Sequence, residues 1–260
     1  PIEFIPTLYG VIMEVKVLPT VVVITPTIGQ DSLEKAIESV KNQTYTNIRH
    51  LIVIDGPHYY GTALNIIDKN MSSEHNVMIA TLPENTGGGG FYGHRVYAAF
   101  PHLVNEDLVA FLDEDNWWEP DHIQSLVDTF KENKDCAWVH SLRKVYVGDE
   151  FLANDCCESI GRWPIAWTAD RNDPEYLVDT SSYLFHREFI KQTCHLWHWG
   201  WGGDRRFFML VKDAAPYATS GKHTLNYKLP DMNKAYGGQM DIFEKYNEET
   251  KRKYGGYPWN

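Results

Sequence analysis

Four apolar segments recur in the first half of the chain, and each of them ends in polar or turn-forming residues. The segments are 20–27 (TVVVITPT), 48–56 (IRHLIVIDG), 76–83 (NVMIATLP) and 107–116 (DLVAFLDEDN). The stretches between them place apolar residues at helical spacing, as at Leu33, Ile37 and Val40. Near-continuous apolar strands that alternate with helices are typical of βαβ units in a parallel sheet. The sequence therefore predicts an α/β fold.

Chemically distinctive residues stand at the ends of three of these predicted strands. Asp55 ends the second strand, the glycine-rich stretch 86–95 (TGGGGFYGHR) follows the third, and an acidic cluster ends the fourth. In open α/β sheets, ligands bind beyond the carboxyl ends of the strands. We therefore expect a ligand site at this edge of the sheet.

Composition narrows the classes of function. The chain has 260 residues, of which 43% are hydrophobic, enough for one large α/β domain. A net charge of −11 argues against nucleic-acid binding, which needs basic surfaces to neutralise phosphates. No apolar run approaches the roughly 18–20 residues that span a bilayer, and no signal peptide is evident. Peripheral association with a membrane stays open.

The cysteines indicate a reducing compartment. Their spacing fits no CxxC zinc pattern, and two of the four are adjacent. We expect four reduced thiols in a cytoplasmic protein. The cysteines are Cys136, Cys156, Cys157 and Cys194.

The acidic cluster is the most informative motif. Alternate residues of a strand point the same way, so Asp113 and Asp115 would share a face if the strand is extended there. Two hard oxygen ligands suit Mg²⁺ or Mn²⁺, which take their other ligands from water and substrate phosphates. Glu114 would point away from the ligand. The alternative is a solvated acidic loop in which Asp115 or Asn116 caps the next helix.

The glycine-rich stretch and two other acidic residues each allow two interpretations. The stretch 86–95 lacks the GK[ST] of a P-loop, and its glycines allow either close backbone approach to a ligand or a flexible turn. Asp55 could bind a ribose or base, or form a turn before Gly-Pro. Asp204, in GWGGDRRFF, could be a general base or only a charge at a helix N-terminus.

Tryptophan is abundant in the second half of the chain, and eleven histidines are spread along the whole chain. Aromatic rings stack on sugars, but tryptophan is also a large core residue, so we expect most to be core and one or two to line a site. His223 is the best candidate for a third metal ligand.

Taken in order, these motifs resemble those of family 2 glycosyltransferases with the GT-A fold. The resemblance rests on the segment 21–56, on ENTGGGGFYGHR, on the DxD-like AFLDEDN, and more loosely on VDTSSYLFHREF and GWGGDRRFF. It covers about residues 20–230. It implies a mostly parallel sheet flanked by helices, with a nucleotide-binding half and an acceptor half in one compact domain.

The resemblance also implies roles for particular residues. Asp55 would contact the base or ribose, and Arg95 would approach the diphosphate or stabilise the loop. Asp115 would bind Mn²⁺ or Mg²⁺, together with Asp113 and His223. The donor-binding residues that it implies are Thr25, Pro26, Thr27, Asp55, Gly88, Arg95, Asp113 and Glu114.

Asp204 would be the base that takes the proton of the acceptor hydroxyl. The acceptor side would include Trp117, Trp199, Trp201 and Asp179. The chain departs from the family pattern at three places. Gly56 replaces an Asp, GHR at 93–95 replaces Ala-Arg-Asn, and Gly203 replaces the Glu of Glu-Asp.

The resemblance divides the chain into three parts. We expect residues 1–19 to form an arm or edge strand, 20–230 the GT-A domain, and 231–260 a polar tail. Within the domain, 20–120 would bind the nucleotide sugar and 121–230 the acceptor.

The expected function is inverting transfer of a hexosyl or deoxyhexosyl group to a hydroxyl of a glycan or other acceptor, as in polysaccharide biosynthesis. A UDP-sugar is the first choice of donor. One alternative is a nucleotidylyltransferase, which needs a basic loop after the first strand, whereas TPTIGQDS has no Lys or Arg. Another is a non-catalytic sugar-binding module, which the retained Asp113, Asp115 and Asp204 argue against.

Overall fold

The computed structural model describes residues 18–71, 75–155 and 178–229, with 248, 251–252 and 255–256. Nearly all of the predicted N-terminal arm and C-terminal tail, and the adjacent Cys156 and Cys157, therefore lie outside the described residues. Of the described cysteines, Cys136 and Cys194 are buried and free.

The described residues form nine strands and six α-helices. The strands are β1 (Val21–Thr27), β2 (Ile48–Ile54), β3 (Val77–Thr81), β4 (Leu108–Phe111), β5 (Trp117–Trp118), β6 (Trp138–Val147), β7 (Glu150–Asp155), β8 (Tyr183–His186) and β9 (Tyr217–Leu229). The helices are α1 (Leu33–Lys41), α2 (Tyr60–Asn70), α3 (His94–Ala99), α4 (His122–Glu132), α5 (Arg187–Thr193) and α6 (Gly203–Val211). The four strands predicted from the apolar segments are confirmed as β1 to β4.

All nine strands belong to one sheet, in the order β3-β2-β1-β4-β8-β6-β9-β5, with β7 paired to β6. The neighbours among β1 to β4 are parallel, as predicted. The second half is mixed, because β8 runs antiparallel to both β4 and β6, whereas β9 runs parallel to β6. β9 was not predicted as a strand, because its residues are mostly polar and lack a regular apolar alternation.

Helices cover both faces of the sheet. Along β1, Val21 and Val23 pack in the cluster that includes residues of α1 and α4. Val22 and Ile24 point to the opposite face, where they join residues of α3, α5 and α6. Each of these side chains is fully buried, and this burial stabilises the folded state by roughly 1.5–3 kcal/mol per residue. Among the described residues, every helix falls short of the length and apolarity that a bilayer span requires.

Three buried histidines are held in their neutral form. His50 on β2 lies 2.9 Å from the Thr25 hydroxyl, and His122 stacks on Trp118 with ring centroids 4.3 Å apart. Loss of hydration lowers the pKa of both His50 and His122 to about 3. Burial likewise lowers the pKa of His140 to about 4.

These histidines should make stability depend on pH. The pKa of each histidine is lower in the folded protein than in the unfolded chain. Their burial therefore leaves the free energy of unfolding at its full value above about pH 6.5, and this free energy decreases as the pH falls towards 4. Within this window each histidine lowers the free energy of unfolding by about 1.4 kcal/mol for each pH unit of acidification, because only the unfolded chain takes up the proton. His50→Gln should reduce the slope by about that amount. Urea unfolding at pH 7, 6 and 5 measures it, and a slope equal to that of the wild type would contradict the assignment.

Candidate active site

The carboxyl ends of β1, β2 and β4 open into one cavity of about 570 Å³, a volume typical of small-molecule sites. Loops from both halves of the domain form its walls. The predicted site residues that line it are Pro26, Thr27, Asp55, Gly88, Asp113, Glu114, Asp115, Asp179, Trp201 and Asp204. Five other predicted residues are absent from its lining, namely Thr25, Arg95, Trp117, Trp199 and His223.

The acidic cluster forms a turn at the end of β4. The strand ends at Phe111, and the Asn116 N–H donates to the Asp113 carbonyl at 3.2 Å. The strict alternation expected of a strand therefore does not apply, yet Asp113 and Asp115 both line the cavity. The Asp113 carboxylate accepts hydrogen bonds from the Tyr97 hydroxyl at 2.6 Å and the Ser181 hydroxyl at 3.2 Å.

The two aspartates of this turn resist ionisation. Desolvation, with the charges of Asp115 and Asp179, raises the pKa of Asp113 to about 8. The Asp115 side chain is open to the cavity, but the surrounding protein removes much of its water. This desolvation, with the charge of Glu114, raises the pKa of Asp115 to about 6. A divalent cation would stabilise both carboxylates in their ionised form.

Glu114 is buried and bonds to the loop that follows β1. Its carboxylate accepts hydrogen bonds from the Thr27 hydroxyl at 2.5 Å, the Ile28 N–H at 3.1 Å and the Gln30 N–H at 3.2 Å. It therefore fixes the loop between β1 and α1, the loop that forms one wall of the cavity. The structure thus gives Glu114, predicted among the donor-binding residues, a set of contacts to its own chain.

Asp55 organises the glycine-rich loop. One of its oxygens accepts from the Thr86 N–H at 2.7 Å and the Thr86 hydroxyl at 2.8 Å, and the other from the Gly87 N–H at 2.8 Å. Only glycine fits at position 87, since a Cβ there would lie 2.5 Å from the Tyr92 carbonyl oxygen. Asp55 therefore determines where the loop lies relative to the cavity.

Arg95 supports the same loop from outside the cavity. Its Nη1 donates to the Thr86 carbonyl at 3.1 Å, and its guanidinium lies 3.6 Å from the centroid of the Phe91 ring. The structure therefore favours loop stabilisation, one of the two roles that the family resemblance implies for Arg95.

Arg143 was missed by the sequence analysis. This buried residue of β6 donates through Nη2 to Asp155 at 2.6 Å and through Nη1 to Asp179 at 2.8 Å. Burial raises the pKa of Asp179, and the charge of Arg143 opposes that effect. Asp179 also accepts from the Ser181 N–H at 3.0 Å. An arginine within an otherwise mainly apolar strand segment was the available sequence signal.

Asp204 stands in the first turn of α6 and lines the same cavity as the acidic turn. The residue before the helix, Gly202, has φ of +78°, a conformation that favours glycine. The nearby Trp201 also lines the cavity, with 53% of its surface exposed. Asp204 thus has a helix-terminal position and access to the cavity, which accommodates both of its predicted roles.

The remaining predicted residues contact protein groups. Thr25 is buried against His50, the Lys35 amino group lies 3.4 Å from the centroid of the Trp117 ring, and the Arg206 guanidinium lies 3.7 Å from that of Trp199.

His223 was predicted to be a third metal ligand, but the structure does not bring it to the acidic turn. It pairs with Leu142 within the sheet, and the β9 residue that lines the cavity is Tyr227. In the part of the chain that the structure describes, no three His, Cys, Asp or Glu side chains are grouped to hold a metal ion.

Comparison with known proteins identifies the class. Residues 21–178 match the profile of glycosyl transferase family 2, which is more than half of the chain. The chain therefore belongs to this family, as the sequence motifs predicted.

Relatives and solved structures agree with this assignment. The chain is 31% identical over 109 residues to a glucosyl-dolichyl phosphate glucuronosyltransferase of Haloferax volcanii, covering 42% of this chain and 32% of that protein. It is 31% identical over 107 residues to the succinoglycan biosynthesis protein ExoW of Rhizobium meliloti, covering 41% and 32%. The chain thus spans about a third of the length of these relatives.

Among solved structures, the S. aureus TarS fragment 1–349 matches with a TM-score of 0.59 and 15% identity, over 80% of this chain and 60% of that one. The same fragment in complex with UDP-GlcNAc matches with a TM-score of 0.58 and 16% identity, over 89% and 66%. These similarities confirm the predicted GT-A fold.

The different surroundings of Glu114 and Asp115 can be tested by measuring the stability of two variants. Glu114→Gln should lower the free energy of unfolding by roughly 1–3 kcal/mol, because an amide NH₂ would face buried N–H donors. The control Asp115→Asn should leave it unchanged or raise it, since it removes a carboxylate whose ionisation the cavity disfavours. Urea unfolding at pH 7 measures both. An equal loss in the two variants would contradict the assigned contacts.

Proposed function

We propose that this protein is an inverting glycosyltransferase that moves a sugar from a nucleoside-diphosphate sugar to a hydroxyl of a glycan acceptor. The observation that carries the proposal is the meeting of Asp113, Asp115 and Asp204 in one cavity at the carboxyl ends of the strands. Membership of glycosyl transferase family 2 supports the reaction class. The UDP-GlcNAc in the TarS complex supports a UDP-sugar as the first donor to test.

A cation is needed for the donor to bind. Acidic residues outnumber basic ones in the cavity lining, so a diphosphate would meet excess negative charge. The acidic residues include Asp113, Asp115, Asp179 and Asp204, and the basic ones are Arg143 and Arg205. We infer that Asp115, with Asp113, holds Mn²⁺ or Mg²⁺. Such ions take one or two carboxylates and complete their coordination with water and phosphate oxygens, so a cluster of three protein ligands is not required.

The bound ion would offset the charge that builds on the departing diphosphate. The protein's own residues then determine the geometry of the site. Tyr97 and Ser181 orient the Asp113 carboxylate through their hydroxyl groups. Glu114 and Asp55 hold the two loops that border the donor, and neither needs to touch the reacting atoms.

Asp204 is the proposed base. It takes the proton of the acceptor hydroxyl while the oxygen attacks the anomeric carbon from the face opposite the leaving diphosphate. One displacement of this kind inverts the anomeric configuration and needs no covalent enzyme intermediate. Trp201, at the exposed end of the cavity, gives an aromatic surface on which an acceptor sugar can stack.

A cytoplasmic site of action remains a prediction from the cysteine content, and the free thiols of Cys136 and Cys194 agree with it.

Manganese is the first ion to test, followed by magnesium.

Asp115→Asn separates binding through a cation from binding by other contacts. With MnCl₂, its Kd for UDP should rise by at least about tenfold, because one anionic ligand is lost. In EDTA the variant should bind UDP at least as well as the wild type, because one repelling charge is gone. Asp128→Asn, at a half-exposed site on α4 outside the cavity lining, is the matched control. Isothermal titration calorimetry measures the three proteins in both conditions, and a Mn²⁺-dependent affinity of Asp115→Asn equal to the wild type's would exclude the site.

Asp204→Asn tests the base. The variant should bind UDP with a Kd within about threefold of the wild type, while kcat falls roughly 10²–10⁴-fold because no carboxylate accepts the proton. Turnover is measured as UDP release in the presence of an acceptor glycan. Full turnover in this variant would assign the base to another residue.

A further inference from the structure

Two loops that line the cavity touch each other directly. The glycine-rich loop lies on the donor side, and the loop before α6 leads to Asp204. His94 Nδ1 lies 2.9 Å from the Trp199 carbonyl oxygen, and the Phe91 and His198 rings stack with centroids 5.6 Å apart. A carbonyl can only accept, so the His94 Nδ1 carries the proton and donates it.

The His94 ring also supports the residue next to Asp204. A Cβ on Gly203 would lie 2.7 Å from His94 Nδ1, so the backbone at Gly203 rests directly on the imidazole. This contact explains why glycine occupies the position immediately before Asp204. The first turn of α6 therefore takes its position from the His94 ring.

On its other side, His94 continues the glycine-rich loop into α3, of which it is the first residue. Its predecessor Gly93 packs against Pro26 so closely that a Cβ would lie 2.7 Å from the Pro26 Cγ. His94 is buried, lines the cavity and packs against Trp197 with ring centroids 5.7 Å apart. It has no room to move independently of the loop.

We propose that His94 is a positioning residue that couples occupation of the donor site to the placement of the Asp204 carboxylate. The inference rests on the proposed function. A donor diphosphate that orders the glycine-rich loop fixes the His94 imidazole. The hydrogen bond to Trp199 and the contact with Gly203 then hold the first turn of α6 more rigidly, which keeps the Asp204 carboxylate in place for the acceptor hydroxyl.

The kinetic test compares His94→Leu with His94→Asn, whose amide N–H can replace the Nδ1 donor. His94→Leu should lower kcat roughly 100-fold, as expected for a base displaced by about 1 Å, and leave the Kd for UDP within about threefold. His94→Asn should have a kcat close to that of the wild type, because its amide restores the hydrogen-bond donor. His195→Leu, at an exposed histidine outside both loops, is the control and should match the wild type. Unchanged kcat in His94→Leu, or no recovery in His94→Asn, would overturn the proposal.

Hydrogen exchange tests the coupling without turnover. Adding UDP and MnCl₂ to the wild type should slow exchange at residues 86–95 and also at 199–206. In His94→Leu the slowing should be confined to the first segment. Gly203→Ala, which pushes on the ring from the other side, provides a second variant with the same expected pattern should His94→Leu fail to fold. Equal slowing of both segments in the variants would overturn the proposal.

The double variant distinguishes this inference from the proposed function. If Asp204 is the base, His94→Leu should add little to the kcat loss of Asp204→Asn, since both act on one carboxylate. Full activity of Asp204→Asn alone would instead overturn the assignment of the base. Losses that multiply in the double variant would leave Asp204 as the base and refute its coupling to His94.

Discussion

Carboxylates that lose their water at the edge of the sheet must find partners, and much of the site follows from how this chain supplies them. Glu114 is satisfied by the loop after β1, and Asp55 by the Thr86–Gly87 backbone. Asp179 is paired with Arg143, and Asp113 accepts from Tyr97 and Ser181. These contacts offset the free energy that burial of several carboxylates costs, and they hold the loops in place around the cavity.

The same contacts join segments that are distant in sequence. Ser181, in the short 3-10 helix before β8, touches the acidic turn that follows β4, and Asp179 two residues earlier reaches Arg143 on β6. The antiparallel β8 lies between β4 and β6, so the residues just before β8 are close enough to contact both neighbouring strands. The second half of the domain thus provides one wall of the cavity.

The sequence predicted what depends on local pattern. Apolar runs and helical spacing predicted β1 to β4 and α1, and the acidic cluster was placed at a strand end before its surroundings were known. What depends on packing between distant segments was not predictable. Nothing in the sequence around Arg143 or Tyr97 indicates which carboxylate each one meets. His223 was selected by residue type and order along the chain, but the long strand β9 places a different residue, Tyr227, at the cavity.

We propose that this cavity receives a nucleoside diphosphate through a divalent cation held by the acidic turn. A crystal structure of the protein with UDP and MnCl₂ tests it most directly. We expect a Mn²⁺ ion bonded directly to an Asp115 carboxylate oxygen and to diphosphate oxygens, with the glycine-rich loop beside the nucleotide. UDP bound without an ion, or an ion and nucleotide held away from Asp113 and Asp115, would contradict it.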